Sequence, residues 1–368
     1  MRHKSLVVLL LSILVPAGNA QRYKIVDLGS LGGGYSEAYS INEIGNVVGL
    51  SCVDLSCVEQ HPFLWSNGIG MQDLGTLPGG SAFAYASGIN LLGEVVGSSA
   101  FSSPFDGDTH AFLWTMNGGM KDLGTLGCPD ITGANGINQS GQVAGTSTIE
   151  PCAGGGLYRA FVWSDQEGMQ DLGTLFGGTY SLGNAINALG QVVGYSDCSN
   201  CDGSHPFLWD SLGSHDLGVL PGGSSGAAIG LNDFGDVVGM SDSAHSIGSA
   251  FLWTQGGGMV DLGILVGGQW SAAYAVNDFG QVVGASDTTG ETHRFRWRNG
   301  RPTASGSHAF IWSSDVGMRD LNHVLIPQNS RWLLTQAHAI NSSGQIVGTG
   351  TINGETHAFL LLPQGRGH

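Results

Sequence analysis

The nine residues from Ile41 to Gly49, INEIGNVVG, decide the reading of the whole chain. They return as INLLGEVVG, INQSGQVAG, INALGQVVG, LNDFGDVVG, VNDFGQVVG and INSSGQIVG, with the Asn at 42, 90, 138, 187, 232, 277 and 341. Asn, two variable residues and Gly suit a type I turn with Asn first and Gly fourth. The β-branched residues on either side are strand formers. The unit is therefore a hairpin, and it recurs at intervals of 48, 48, 49, 45, 45 and 64 residues.

Two further strings share the period. DLGSLGG at Asp27 returns as DLGTLPGG, DLGTLGCP, DLGTLFGG, DLGVLPGG and DLGILVGG at Asp73, Asp122, Asp171, Asp216 and Asp261, with a worn copy DLNHVL at Asp320. HPFLW or HAFLW lies between, with Trp at 65, 114, 163, 209, 253, 297 and 312 and HAFLL near the end. Each unit then parses into four short strands: the segment ending in IN, GQVVG, HAFLW and MxDLGTL. No segment has an amphipathic helical period, which excludes helical solenoids.

Four strands in 45 to 49 residues is the size of a propeller blade. The chain starts on a fourth strand, YKIVDLG, and ends on a third, HAFLLLP. The two fragments complete one blade, and pairing them hides two sheet edges that would otherwise invite aggregation. The sequence thus predicts an all-β protein: a seven-bladed β-propeller of four-stranded blades closed by its terminal strands. An open β-solenoid has no need of complementary ends. The long interval contains two third-strand strings, 293–297 and 308–312, and the sequence leaves open which one sits in the blade.

The three strings in fixed order resemble the HAF-repeat family of bacterial extracellular proteins over about residues 22 to 362. Copies depart from the pattern at Arg159 and Ser249, where His is missing, at Leu361 in place of Trp, and at DLNHVL. The resemblance implies a secreted or surface location and a repeat architecture, and supplies no reaction.

Residues 1–20 run from a basic start at Arg2 and Lys4 through SLVVLLLSILVP to small residues at Gly18 and Ala20, the form of a signal peptide cleaved near Ala20. The expected organisation is a leader over 1–20 and one propeller domain over 21–368, secreted, periplasmic or at the cell surface. With 62 Gly, 41% hydrophobic and only 11% charged residues, the chain has the balance of a packed fold and not of a disordered one. Without Arg2 and Lys4 the 29 acidic residues face 11 basic ones, a field that repels nucleic acid.

His61, His110, His205, His293, His308 and His357 begin the third-strand strings, and those on separate blades lie too far apart to share a metal. A repeated structural hydrogen bond is the better reading, as is backbone binding by the Asp of DLG. Phe and Trp of HAFLW, two apart, share one strand face and should be buried between blades. Trp270 and Trp332 lie outside that motif and are the candidate exposed aromatics. GGSSG at Gly222 matches a nucleophile-elbow string without the strand-to-helix context it needs.

Up-and-down strands place the loop after the second strand and the link after the fourth on one face of the wheel. That face collects Cys52, Cys57, Cys128, Cys152, Cys198 and Cys201, and local pairing gives Cys52–Cys57 and Cys198–Cys201, leaving Cys128 with Cys152. The C-x-x-C of Cys198 and Cys201 also fits half a zinc site, although no second pair accompanies it. The loops after the second strand vary from 6 to 11 residues while the Asn turn never changes, and variable loops of a repeat protein mark its binding side. They carry Asp54, Asp106, Asp108, Asp197, Asp202, Asp242 and Asp287, an acidic face suited to calcium or a basic partner. No organic cofactor motif occurs. The sequence reads as an exported binding scaffold for a carbohydrate, an envelope component or a basic protein. The alternative is a hydrolase or lyase acting on polysaccharide.

Overall fold

A computed structural model of the chain describes residues 21–101, 108–128, 131–149, 157–288, 296–298, 301–303, 306–327 and 330–365. The expected leader, residues 1–20, lies outside them. Seven antiparallel sheets of the repeat unit form a wheel. Blade 1 is built from Ser36–Ile41, Val47–Cys52, Gln60–Ser66 and Gly70–Asp73 in that order across the sheet. Blades 2 to 6 repeat it, and the first strands of neighbouring blades touch all the way round the axis. Blade 7 takes three strands from the C-terminal part, Trp332–Ile340, Ile346–Ile352 and Glu355–Gln364, and its fourth from Arg22–Asp27. The register of that closure runs from Arg22 opposite Gln364 to Asp27 opposite Phe359. Leu325–Ile326 adds a short parallel strand outside it.

The open choice in the long interval is settled: Ser307–Ser313 is the third strand of blade 6, so the 308–312 string belongs to the blade. Arg296–Arg298 pairs instead with Arg301–Thr303 as a separate hairpin inserted before it.

Apolar clusters lie between blades. One joins Ala38, Val47 and Phe63 of blade 1 to Val347, Ala358 and Leu360 of blade 7, and another joins Val48 and Leu64 to Ala86, Val95 and Phe112 of blade 2. The third-strand Phe is 0–2% exposed in every blade, which contributes roughly 2 kcal/mol of transfer free energy per ring. The neighbouring Trp is less buried than expected. Trp163 is buried, but Trp65, Trp114, Trp209, Trp253 and Trp312 are half-buried, each lying at the end of the third strand beside the turn into the fourth, where the sheet meets solvent.

The Asn turn is as expected, with Gly45 N–H donating to the Asn42 carbonyl and Gly45 at φ +87°, a conformation that glycine adopts without strain. The same Asn also does something the turn does not require. Its Nδ2 donates to the backbone carbonyl of the corresponding Asn in the next blade: Asn42 to Asn90, Asn90 to Asn138, Asn138 to Asn187, Asn187 to Asn232, Asn232 to Asn277, Asn277 to Asn341, and Asn341 back to Asn42, at 3.0 to 3.2 Å. This is a closed ring of buried amides, which a solenoid with free ends cannot form.

Candidate functional site at the channel mouth

Each first strand carries a β-bulge three residues before its Asn. A bulge leaves one residue unpaired and re-aims its side chain. The bulge residues are Tyr39, Ser87, Asn135, Asn184, Ile229, Tyr274 and His338, and they form a collar around the axis. Ser87, Asn135 and Asn184 donate to a carbonyl of the next blade, at 2.5 Å for Ser87 to Ala134 and 2.7 Å for Asn135 to Gly183 and Asn184 to Ala228. The VVG glycine faces the bulge: a Cβ on Gly49 would lie 1.9 Å from the Glu37 carbonyl oxygen, so any side chain there would displace it.

Two residues nearer the variable loops the seven strands carry Glu37, Tyr85, Gly133, Leu182, Ala227, Ala272 and Gln336. The collar is therefore lopsided. Blades 3 to 5 present small, amide or aliphatic groups, and blades 6, 7, 1 and 2 present phenols, an imidazole and one carboxylate. Glu37 is 7% exposed and accepts hydrogen bonds from the hydroxyls of Tyr35 and Tyr39. The Tyr39 ring stands edge-on to Tyr85 at 6.3 Å and 5.3 Å from the ring of His338, which lies 5.7 Å from Tyr274. His338 Nδ1 donates to the Ala38 carbonyl at 2.8 Å, and Nε2 meets the Gln336 side-chain amide at 2.7 Å. A carbonyl can only accept, so Nδ1 carries a proton towards Ala38, and the atom facing Nε2 is the Gln336 side-chain oxygen.

Sequence reasoning missed this cluster. Of the residues that it singled out, the structure gives several another task. Asp197, Asp242 and Asp287 each clamp the link entering their own blade. Asp197 Oδ1 accepts from the Thr179 and Tyr180 amides at 2.7 and 2.8 Å; Asp242 accepts from Ser224 and Ser225, and Asp287, fully buried, from Gln269 and Trp270. Burial pushes the Asp197 carboxyl up, but the hydrogen bonds from Thr179 and Tyr180 outweigh it and hold the group below its usual range. Asp54 is exposed and caps its own turn, where the Ser56 hydroxyl and the Ser56 and Cys57 amides lower its pKa. Asp202 is exposed, Asp108 sits 3.8 Å from His110, and Asp106 lies outside the described residues.

The candidate exposed aromatics are corrected too. Trp270 is 1% exposed, packed among Ile229, Ala272 and Tyr274 between blades 5 and 6. Trp332 is half-buried, edge-on to His357 and Phe359. The third-strand histidines bind structurally, as expected: Nδ1 meets the DLG aspartate of the next strand at 2.6 to 3.0 Å in His61–Asp73, His110–Asp122, His205–Asp216, His308–Asp320 and His357–Asp27. The same aspartate caps the amide two residues on, as Asp73 does for Gly75. Disulfides join Cys52 to Cys57 and Cys198 to Cys201. Cys128 is also disulfide-bonded, and the partner expected for it, Cys152, lies outside the described residues.

No family model matches the chain, and no curated protein matches it. Among solved structures it is similar to an oligogalacturonate lyase in complex with manganese, at 10% identity and a TM-score of 0.51 over 83% of this chain and 84% of that one. It is also similar to a puromycin hydrolase, at 12% identity and a TM-score of 0.50 over 86% of this chain and 50% of that one, so it spans half the hydrolase's length. At such identities the likeness shows the propeller fold alone.

Proposed function

We propose that the protein is an exported binding propeller that takes a neutral or amino sugar at the variable-loop end of its channel. The observation that carries this reading is the lopsided collar, in which Tyr39, bonded to Glu37, stands against Tyr85 and His338 of the neighbouring blades. Aromatic rings offer apolar faces to a sugar ring, and a carboxylate and amides accept and donate to its hydroxyls. The Cys52–Cys57 and Cys198–Cys201 disulfides are compatible with export. The motif resemblance to the HAF-repeat family supports the same location.

A second reading, a lyase or hydrolase acting on polysaccharide, is favoured by the imidazole and phenols beside the carboxylate, and one propeller of similar fold is an oligogalacturonate lyase. Two points weigh against it. Neither level of the collar holds a second carboxylate, so a glycosidase pair is missing there. A buried carboxylate in an acidic protein also repels an anionic uronate. Calorimetry with neutral, amino and uronic oligosaccharides tests the choice. Binding of a neutral or amino sugar should weaken at least about tenfold in Glu37→Gln or Tyr39→Phe and stay unchanged in Asp54→Ala with Asp202→Ala. The reverse pattern, or unsaturated products from oligogalacturonate, would overturn the proposal.

A further inference from the structure

Four metal-ligating side chains meet at one point of the variable face, in blade 4. Cys198, Cys201, His205 and Asp216 each bring a ligand atom within 4.8 Å of the others. The His–Asp pair alone carries no site, since it recurs in four other blades. The loop before the third strand makes the difference. In blades 2 and 7 this loop places a carboxylate near the imidazole Nε2, Asp108 at 3.8 Å from His110 and Glu355 at 3.5 Å from His357. In blade 4 the loop is the tight turn Cys198-Ser-Asn-Cys201, in which the Cys201 amide donates to the Cys198 carbonyl at 3.2 Å. Here two sulfur atoms, and no loop carboxylate, join the His205–Asp216 pair. Blade 1 is the internal contrast: it has both a loop disulfide, Cys52–Cys57, and a His61–Asp73 pair, yet the described residues form no such group there.

We propose that blade 4 is a redox-gated zinc site, closed as a disulfide and metal-binding when reduced. Cys198 Sγ, Cys201 Sγ and His205 Nε2 are the ligands, and water fills the fourth tetrahedral position. Asp216, 3.0 Å from His205 Nδ1, keeps the proton on that nitrogen and leaves the Nε2 lone pair for the metal. Opening requires a small thiol reductant: two R–SH reduce the S–S bond to two cysteine thiols and leave as R–S–S–R. Each cysteine then releases its proton to water as its bond to zinc forms. Oxidation by a disulfide of the same class reverses the sequence and expels the metal. Both cysteines are half-buried rather than sealed, so the reductant has access.

The test uses the full mature chain, reduced with a dithiol, freed of it without air, and titrated with Co2+ as a coloured stand-in for zinc. One equivalent should give a thiolate-to-cobalt charge-transfer band. The band should disappear in Cys198→Ser with Cys201→Ser, persist in Cys52→Ser with Cys57→Ser, and need about 10- to 100-fold more metal in Asp216→Asn. A band that survives loss of Cys198 and Cys201, or no band in a reduced protein that keeps its β-sheet circular dichroism, would overturn the proposal. Should reduction loosen the fold, the thermal midpoint of the reduced chain decides: added Zn2+ should raise it in the Cys52→Ser, Cys57→Ser background, and no rise refutes the site.

Discussion

The two ends of the wheel are built from the same seven repeats and follow opposite rules. On the Asn-turn end every blade does the same thing. One side chain spans the turn with its Oδ1, as Asn187 does for the Leu189 and Gln191 amides, and reaches the next blade with its Nδ2. On the other end the loops differ in length, those of blades 1 and 4 carry disulfides, and the first-strand residues below them differ from blade to blade. Interchangeable positions hold the ring shut, and positions that have diverged are free to recognise something. Uniformity marks the end that shuts the ring, and the divergent end carries the site proposed above.

The largest effect is expected where the uniform end is broken. Asn187→Ala removes one buried donor and one acceptor, leaving the Asn232 carbonyl and two turn amides without their partners. At about 1 to 3 kcal/mol for each buried orphan, partly relieved by water, the loss should be roughly 3 kcal/mol. It should appear as a lower urea midpoint, and a similar loss should follow at Asn90 or Asn277, since all seven positions are equivalent. A midpoint within about 0.5 kcal/mol of the parent, the range of an ordinary surface change, would show that the ring contributes nothing to closure.

The variable end divides on a smaller scale. Asp287 is fully buried and holds two link amides, whereas Asp54 caps a turn in water. Asp287→Ala should cost about 2 kcal/mol and Asp54→Ala less than about 0.5 kcal/mol, read by the same denaturant titration. Equal losses would mean that burial does not separate the two acids and that the clamps were misassigned.

The wheel was legible because a strict period, four strand-sized runs and two complementary ends leave few other architectures. The Asn ring was not, because its bond joins residues with the same role in successive blades, and a turn already accounts for the Asn. The hint was that no copy substitutes Asp, Ser or Gly, which also start such turns. The channel cluster was hidden by the bulge, which breaks strict alternation, so Tyr39 and His338 pass for ordinary strand residues. Its signal was the reverse of the usual one: within a near-invariant frame, the third residue before the Asn differs almost everywhere. Asp197, Asp242 and Asp287 were read as loop acids because nothing in a sequence says that the link entering a blade folds back onto the end of its second strand. Trp270 was misread for the same reason.

The smallest effect expected concerns acid. Burial pushes the Asp320 carboxyl up, but hydrogen bonds from His308 and Asn322 outweigh it and keep its pKa in the folded chain below the usual carboxylate value. A carboxyl lowered by folding stabilises the protein above its unfolded pKa, near 3.9, and that contribution fades as pH falls towards the lower, folded value. Asp197 acts in the same direction from the variable end. Acid should therefore weaken the wheel below about pH 4. Asp320→Asn removes one titrating group, so the urea midpoint plotted against pH should fall less steeply on the acid side than in the parent. An unchanged slope in Asp320→Asn would mean that the link clamps and outer-strand pairs bind neutral and ionised carboxyls equally well, and the contrast between committed and free acids on the variable face would lose its electrostatic part.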